Sequence, residues 1–493
     1  MPAITYADFS GGLDRRLPIT VQEANRLWTL KNAYITSGKR IRKRPGLKLV
    51  SSALGGSVGL ESLNGGVCVF ALIGSSFAPP AGVGLLNLST YSPGEAPSTL
   101  VDVLSARMFQ GFPYIVAVHN TTIARPAPPP GFASIGGTVV ADVVRHHYID
   151  GTLPTRITDA NCPHGESAVV AAEHVFTTAG EVVSYSAAGD ARDWTTSSDA
   201  GFLPVALRHD QRANCTAVGN FRGELAVFFS EGAQLWNVEV DPSANEFLQL
   251  LSGVGTEAPL SLDAFYQDLA FLSPYGIRSI AVQQSVERID ESDVGVQIDS
   301  LVVPSIAEHA GGAKILGAWL QQLGQYWVMF DAGGFTRAYA YSFSRSSKLA
   351  CWSVYDFPVL LRGITTANGK VYVRTETSLY ELDDAQHTDD GTVIEVDVQM
   401  AYQDAKLPGV EKQFYGADYV FEGTASVSYL YDPRDQSKET NAYPITGDSR
   451  AGTLVPVEVT AAAIAPRFRH AADEAFGLDM ATLYYHPLSA QAS

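Results

Sequence analysis

The chain lacks most short signatures of chemistry. It has no CxxC, no P-loop and no HExxH. Thiol–disulfide exchange, a phosphate cradle and zinc-protease chemistry therefore have no local sign here. Cysteine is scarce: Cys68, Cys162, Cys215 and Cys351 are the only four, widely scattered. Such spacing reads as free core thiols of a chain made in a reducing compartment, because structural zinc needs clustered ligands. Long apolar runs are missing too. A membrane-spanning helix needs about 20 apolar residues, whereas "VCVFALIG" and "FPYIVAV" have strand length. Residues 1–20 carry Asp8 and Asp14 and no apolar signal core, so no secretory leader is expected.

Charge is the third shortage. Only 17% of residues are charged against 46% hydrophobic, which supports an extensive core, argues against disorder and suggests surface buried between subunits. Positive charge is the scarcer sign: 34 Lys and Arg face 52 Asp and Glu, a net of −18. Binding duplex through charge requires cations presented to phosphates, so general nucleic-acid affinity is disfavoured. The cations that remain are concentrated. Residues 1–50 hold ten basic and three acidic side chains, and Lys39, Arg40, Arg42, Lys43 and Arg44 fall within "KRIRKRPG". Such asymmetry points to an interaction arm.

What the chain does have is a repeat. A turn followed by an apolar run of four to six residues recurs at Gly65, Gly111, Glu173, Gly223, Gln267, Gly324 and Gly369. The intervals are 46, 62, 50, 44, 57 and 45 residues. The clearest copies, "LAVFFSEGAQLWNVEV" and "VYVRTETSLYEL", read as hairpins: β-branched and aromatic strands flank polar turns. A period near 45 residues with one hairpin per copy is the spacing of propeller blades, small sheets that cover one another when arranged radially. The fold expected is all-β: a β-propeller over 51–405, with an additional β-rich platform formed by a leader, 1–50, and a C-terminal region, 406–493. A sandwich or a pair of barrels is the alternative.

Within the leader, Thr20 and Glu23 stand at capping-box spacing in "TVQEANRLWTLKNAY", which predicts a short helix. "TAAAIAPRFRHAADEAFG" reads as partly helical, and "VEKQFYGADYVFEGTASVSYLYDPRD" as strands. "ARPAPPPGF" reads as a stiff polyproline stretch, expected to form a projecting loop, either a surface connector or a functional tip.

Candidate chemistry is thin. "SYSAAGDARDWTTSSDAG" resembles a sialidase Asp-box, but no Asp precedes its glycine at the required place and it occurs once. Glycoside hydrolysis also needs two carboxylates facing one bond. "ELDDAQHTDDG" gathers Asp383, Asp384, His387, Asp389 and Asp390 without the order of a calcium loop, and reads as an acidic turn in water. His146 and His147 are adjacent, so in a strand they point to opposite faces and cannot both chelate one ion. Trp194, Trp236, Trp327 and Trp352 lie in or beside blade strands and read as core. No catalytic residue, metal ligand or cofactor is assigned.

One stretch is familiar. "FSGGLDRRLPI…EANRLWTLKNAYITSGKRIRKRPGLKLV" resembles the opening of the tail tubular protein B family, the tail nozzle or hub proteins of short-tailed bacteriophages. The matching residues are Gly11, Gly12, Asn32, Arg44, Pro45 and Gly46. The ordered set "VVSYSAAGDARDWTT", "GELAVFFSEGAQLWNV", "QDLAFLSPYGIRSI" and "GKVYVRTETSLYELD" extends the similarity along the chain. The resemblance implies a virion protein made in the host cytoplasm. It implies a homo-oligomeric ring, a hexamer, bound to a tail adaptor and to fibres or spikes, passing double-stranded DNA without tight binding. A ring that lets duplex slide benefits from an acidic wall. Within that picture the basic run at Lys39–Arg44 is expected to meet acidic surface on a neighbouring subunit or the adaptor, with DNA at a channel mouth as the sharper alternative. A strand here would put Arg40, Arg42 and Arg44 on one face and Lys39 and Lys43 on the other. A receptor-binding propeller adhesin and a glycan hydrolase are the competing functions.

Overall fold

The computed structural model describes residues 2–89, 98–124, 138–196, 199–208, 214–285, 293–309, 314–449 and 453–488. The polyproline stretch lies almost wholly outside them.

Each sequence repeat is one blade. Among the described residues seven blade sheets follow one another, antiparallel except that Gly66–Leu72 pairs parallel with Val83–Leu88 in the first. Their first strands are Val58–Leu63, Thr99–Phe109, Ala168–Ala171, Ala217–Phe221, Asp263–Phe265, Leu316–Leu320 and Gly363–Ala367. These first strands touch in succession, and the last touches the first, so the blades close around an axis. The seven repeat anchors sit at the turn between the first and second strand of every blade. At Asn64–Gly65, Gln110–Gly111, Arg222–Gly223 and Asn368–Gly369 both turn residues have positive φ. That is the backbone of a type I′ hairpin, whose twist matches the flanking strands and which favours Asn and Gly.

The irregular intervals have local causes. The second blade has strands Phe112–Ala124 and Thr138–Asp150, each 13 residues long, which stretches the interval to 62. Among the described residues the fifth blade has three strands, ending at Gly276–Ser279, and helices Ile280–Ser285 and Asp299–His309 follow before the sixth blade begins. No described helix is long and apolar enough to cross a membrane.

The propeller is closed from outside its own stretch of sequence. Strand Gly46–Ser51 pairs antiparallel with Leu379–Asp383 and completes the seventh blade. The rest of the leader joins a two-sheet platform. One sheet runs Val455–Ala461, Lys412–Glu422, Gly477–Pro487, Ile41–Lys43, Ala33–Ile35, with Ala3–Tyr6 also on Gly477–Pro487. The other is continuous with the sixth blade: its outer strand Leu349–Phe357 pairs parallel with leader strand Arg26–Lys31. That strand then pairs with Val396–Met400, and the sheet continues through Ala465–His470 and Thr424–Leu430 to Tyr443–Thr446. A single apolar cluster holds Phe414, Tyr419 and Phe468 of the platform together with Phe265, Tyr326 and Trp352 of the propeller. The two parts therefore share a core.

Several expectations change. The leader's capping-box segment runs into a strand, Arg26–Lys31: a register shift between Leu27 and Thr29 lets Leu27 and Leu30, three residues apart, enter the same core, and its strand partners outweigh a local cap. The region read as partly helical folds as strand Ala465–His470. Two boundaries shift as well: Gly46–Ser51 belongs to the propeller, and Val396–Met400 to the platform.

Candidate functional site: the joint between propeller and platform

The residues that carry the leader's family resemblance converge on one buried joint. Asn32 lies between strands Arg26–Lys31 and Ala33–Ile35 with φ +53, a left-handed conformation that Asn tolerates better than most residues. Its backbone N–H donates to Val354 O at 2.8 Å, and its backbone oxygen accepts from Arg44 N at 3.1 Å. Its side-chain Nδ2 donates to Glu395 O at 2.8 Å. Oδ1 accepts from the Asp356 amide at 2.8 Å and from Arg44 Nε at 3.1 Å. This one buried amide ties the leader to the sixth blade and to the entry of the platform.

Arg44 sits behind it, 2% exposed. Its two terminal nitrogens make a bidentate pair with Asp389, at 2.9 and 2.5 Å. It also donates to Asp356 O and Pro45 O, and its guanidinium lies 4.1 Å from the Phe357 ring centroid. Arginine's planar fork suits this role, since every donor can be met in one plane. The glycines answer to space. A Cβ on Gly46 would lie 2.3 Å from Thr388 O and 2.5 Å from Gln386 O, both backbone atoms. Gly12 has φ +53, and a Cβ there would lie 2.5 Å from Cys351 Cβ in the sixth blade. A Cβ on Gly11 would lie 2.8 Å from Arg26 Cγ and 2.9 Å from Asn25 O, so Gly11 packs within the leader itself.

The basic run takes its partners from its own chain. Lys39 pairs with Asp8 at 3.1 Å, Arg40 and Arg42 with Asp479 at 3.0 and 2.6 Å. Lys43 is buried and donates to Ala472 O and Glu474 O, and contacts His470 Nε2 at 3.1 Å. Burial pushes the Lys43 ammonium down to about 8. Lys43 and Arg44, placed on an intersubunit surface by the sequence reading, are thus interior, and only Ile41–Lys43 is strand. Arg40 and Arg42 share a face, but Arg44 lies past the strand end and turns inward.

The other candidates are structural as well. In the acidic turn, Asp389 is 3% exposed and bound to Arg44, and so is not in water; Asp383 pairs with Lys48. A buried arginine demands a buried acid, the signal that would have selected Asp389. In the Asp-box-like turn, Trp194 is 3% exposed and its amide donates to Asp159. Trp236, Trp327 and Trp352 are buried likewise.

Two further polar regions stand out. The first is an axial cavity of about 440 Å³ lined by the first strands of all seven blades. It presents Glu61, Glu166 and Asp263 together with Arg107, Lys314 and Arg362. Burial raises the carboxyls of Glu61 and Asp263 above their ordinary range. The second lies around the second blade. As their alternation requires, His146 and His147 face opposite ways. His147 stacks on His119 with ring centroids 5.1 Å apart, and neither ring nitrogen of either residue has a hydrogen-bond partner. His146 faces the third blade, with Tyr114 Oη 2.6 Å from its Nδ1 and Gly165 O 2.7 Å from its Nε2. Burial pushes His119 and His146 down to about 4, His164 down to about 3 and the Cys162 thiol up to about 12.

The fold and this joint define a class: a seven-bladed propeller clasped by a β-sandwich platform. No family model matches the chain, and no curated protein matches it. Solved structures do. The WD40 domain of Neurospora crassa Pan2 is 8% identical, with 57% of this chain and 89% of that one covered and a TM-score of 0.32. The WD40 domain of Toxoplasma gondii coronin is 9% identical, with coverage of 72% and 86% and a TM-score of 0.34. A PQQ-bound aldose sugar dehydrogenase from Streptomyces coelicolor is 10% identical, with coverage of 69% and 98% and a TM-score of 0.28.

Proposed function

We propose that this chain is a structural subunit of a short-tailed phage tail, a nozzle-type component. In this reading it assembles with copies of itself, six by the resemblance, into an annulus around the path of the outgoing genome. The observation that carries the reading is the joint. Gly12, Asn32, Arg44 and Gly46 hold the propeller and the platform together. A subunit that transmits force between an adaptor above and fibres below needs such a joint, whereas a ligand site would present these residues to solvent. The charge distribution supports the same reading. The basic run is met by acids and carbonyls of its own chain, while the whole carries −18. An acidic wall repels phosphates and leaves duplex free to slide. The axial cavity, at about 440 Å³, is too small to be the conduit, so the bore forms between subunits.

The test is assembly. Light scattering and negative-stain microscopy of the purified chain should give closed rings of uniform copy number. A strictly monomeric species at micromolar concentration, alone and with virion tail components, would refute the proposal.

A further inference from the structure

We propose that the seam between the second and third blades is a zinc(II) site, with His146 Nδ1, His164 Nδ1 and Cys162 Sγ as protein ligands. The three donor atoms lie within 4.8 Å of one another. Cys162 Sγ is 3.9 Å from His146 Nδ1 and 3.7 Å from His164 Nδ1. Tetrahedral zinc, with Zn–S near 2.3 Å and Zn–N near 2.0 Å, places such donors about 3.3–3.6 Å apart. Both sulfur–nitrogen distances are close to that range.

The surroundings favour a metal over three unrelated side chains. The Nε2–H of His146 donates to Gly165 O at 2.7 Å, which leaves the lone pair on Nδ1, the atom facing Cys162. A backbone carbonyl on the far nitrogen is how proteins commonly orient a histidine ligand. Tyr114 donates its hydroxyl to that same Nδ1 at 2.6 Å; metal binding takes over the lone pair and frees the hydroxyl oxygen to turn to the ion as a fourth donor. His164 Nδ1 now accepts from the His146 amide at 3.1 Å; metal binding takes over that lone pair. Val116, Val175 and Trp194 pack in the same cluster as Cys162, and Arg145, Arg156 and Asp159 are the charged groups that act on the ligands. Imidazole and thiolate together select zinc among the common hard and borderline divalent ions.

Binding forms one Zn–S, two Zn–N and one Zn–O bond, the last to the neutral Tyr114 hydroxyl, and releases the Cys162 thiol proton to solvent; nothing is oxidised or reduced. Its consequence is mechanical. Cys162 and His164 belong to the connection between strands Leu153–Arg156 and Ala168–Ala171, and His146 to a strand of the second blade. The ion would staple the connection to the blade, and being buried it would enter as the two blades fold. The sequence hides this because His146 stands 16 residues before Cys162, and only strand pairing brings them together.

The chain should be produced in zinc-supplemented medium, purified without chelator and assayed for metal, then produced with cobalt(II) in place of zinc. One zinc per chain is expected. The cobalt form should show a near-ultraviolet thiolate-to-cobalt band that is lost in Cys162→Ser and kept in Cys215→Ser. Less than a tenth of an equivalent of zinc in folded wild-type protein, together with no charge-transfer band, would overturn the assignment. So would a full band in folded Cys162→Ser. If that variant does not fold, the wild-type metal content and cobalt spectrum decide.

Discussion

The joint and the second blade are both buried and polar, yet they are built on opposite plans. At the joint, charge is taken inside and met: Arg44 by Asp389, and Asn32 through its backbone N–H, its backbone carbonyl and both side-chain polar atoms. In the second blade, interior polarity is neutral imidazole, and His119 and His147 are left with ring nitrogens that meet no partner. The first arrangement fixes one geometry, because removing either half strands the other. The second is tolerated at a cost, because a neutral ring loses less on leaving water than an ion does.

Substitutions should separate the two plans by sign as well as size. The largest effect is expected for Arg44→Ala, which strands Asp389 in the interior. A loss of about 3–5 kcal/mol in urea unfolding is the scale for breaking a buried ion pair. An equal loss in Asp389→Ala, with strong coupling in the double variant, would locate the effect in the pair. Asn32→Ala should cost somewhat less, about 3 kcal/mol, by orphaning the Glu395 carbonyl, the Asp356 amide and one Arg44 donor. His119→Leu should go the other way and stabilise by about 1 kcal/mol, because two unmet ring nitrogens are replaced by an apolar group of similar size. A clear destabilisation there would mean that the His119–His147 stack is not the idle pair that the geometry suggests.

The smallest effects belong to the rim of the joint and to pH. Lys39→Ala removes an ion pair between half-exposed side chains, 40% and 50% accessible, and should move the midpoint by less than about 0.5 kcal/mol. Lys43 titrates lower in the folded chain than in the unfolded one, about 8 against 10.5. Between those values the unfolded state binds more protons, so its contribution to stability rises with pH from about 8 upward. Lys43→Met should flatten the rise measured between pH 8 and 10.

The blades were legible because they are local. A hairpin needs a turn and two alternating flanks within some fifteen residues, and every repeat anchor falls on such a turn. The fifth blade's departure was not legible, since helix Asp299–His309 follows its three described strands without breaking the spacing rule. The leader misled for the opposite reason. Thr20 and Glu23 satisfy a local cap, but the strand that follows is chosen by partners more than 300 residues away, in Leu349–Phe357 and Val396–Met400. The glycines, Asn32 and Arg44 could be singled out from the sequence as a set; their shared location could not.

Composition, repeat spacing and hairpin chemistry were enough to settle an all-β chain built of blades, because alternation and turn residues act over short distances that the sequence displays directly. The fate of its charges was decided elsewhere. Whether Arg44 faces a neighbour or Asp389, and whether His146 meets His147 or Cys162, depends on which strands lie side by side. That is set by the packing of elements hundreds of residues apart, and no local pattern in the chain records it.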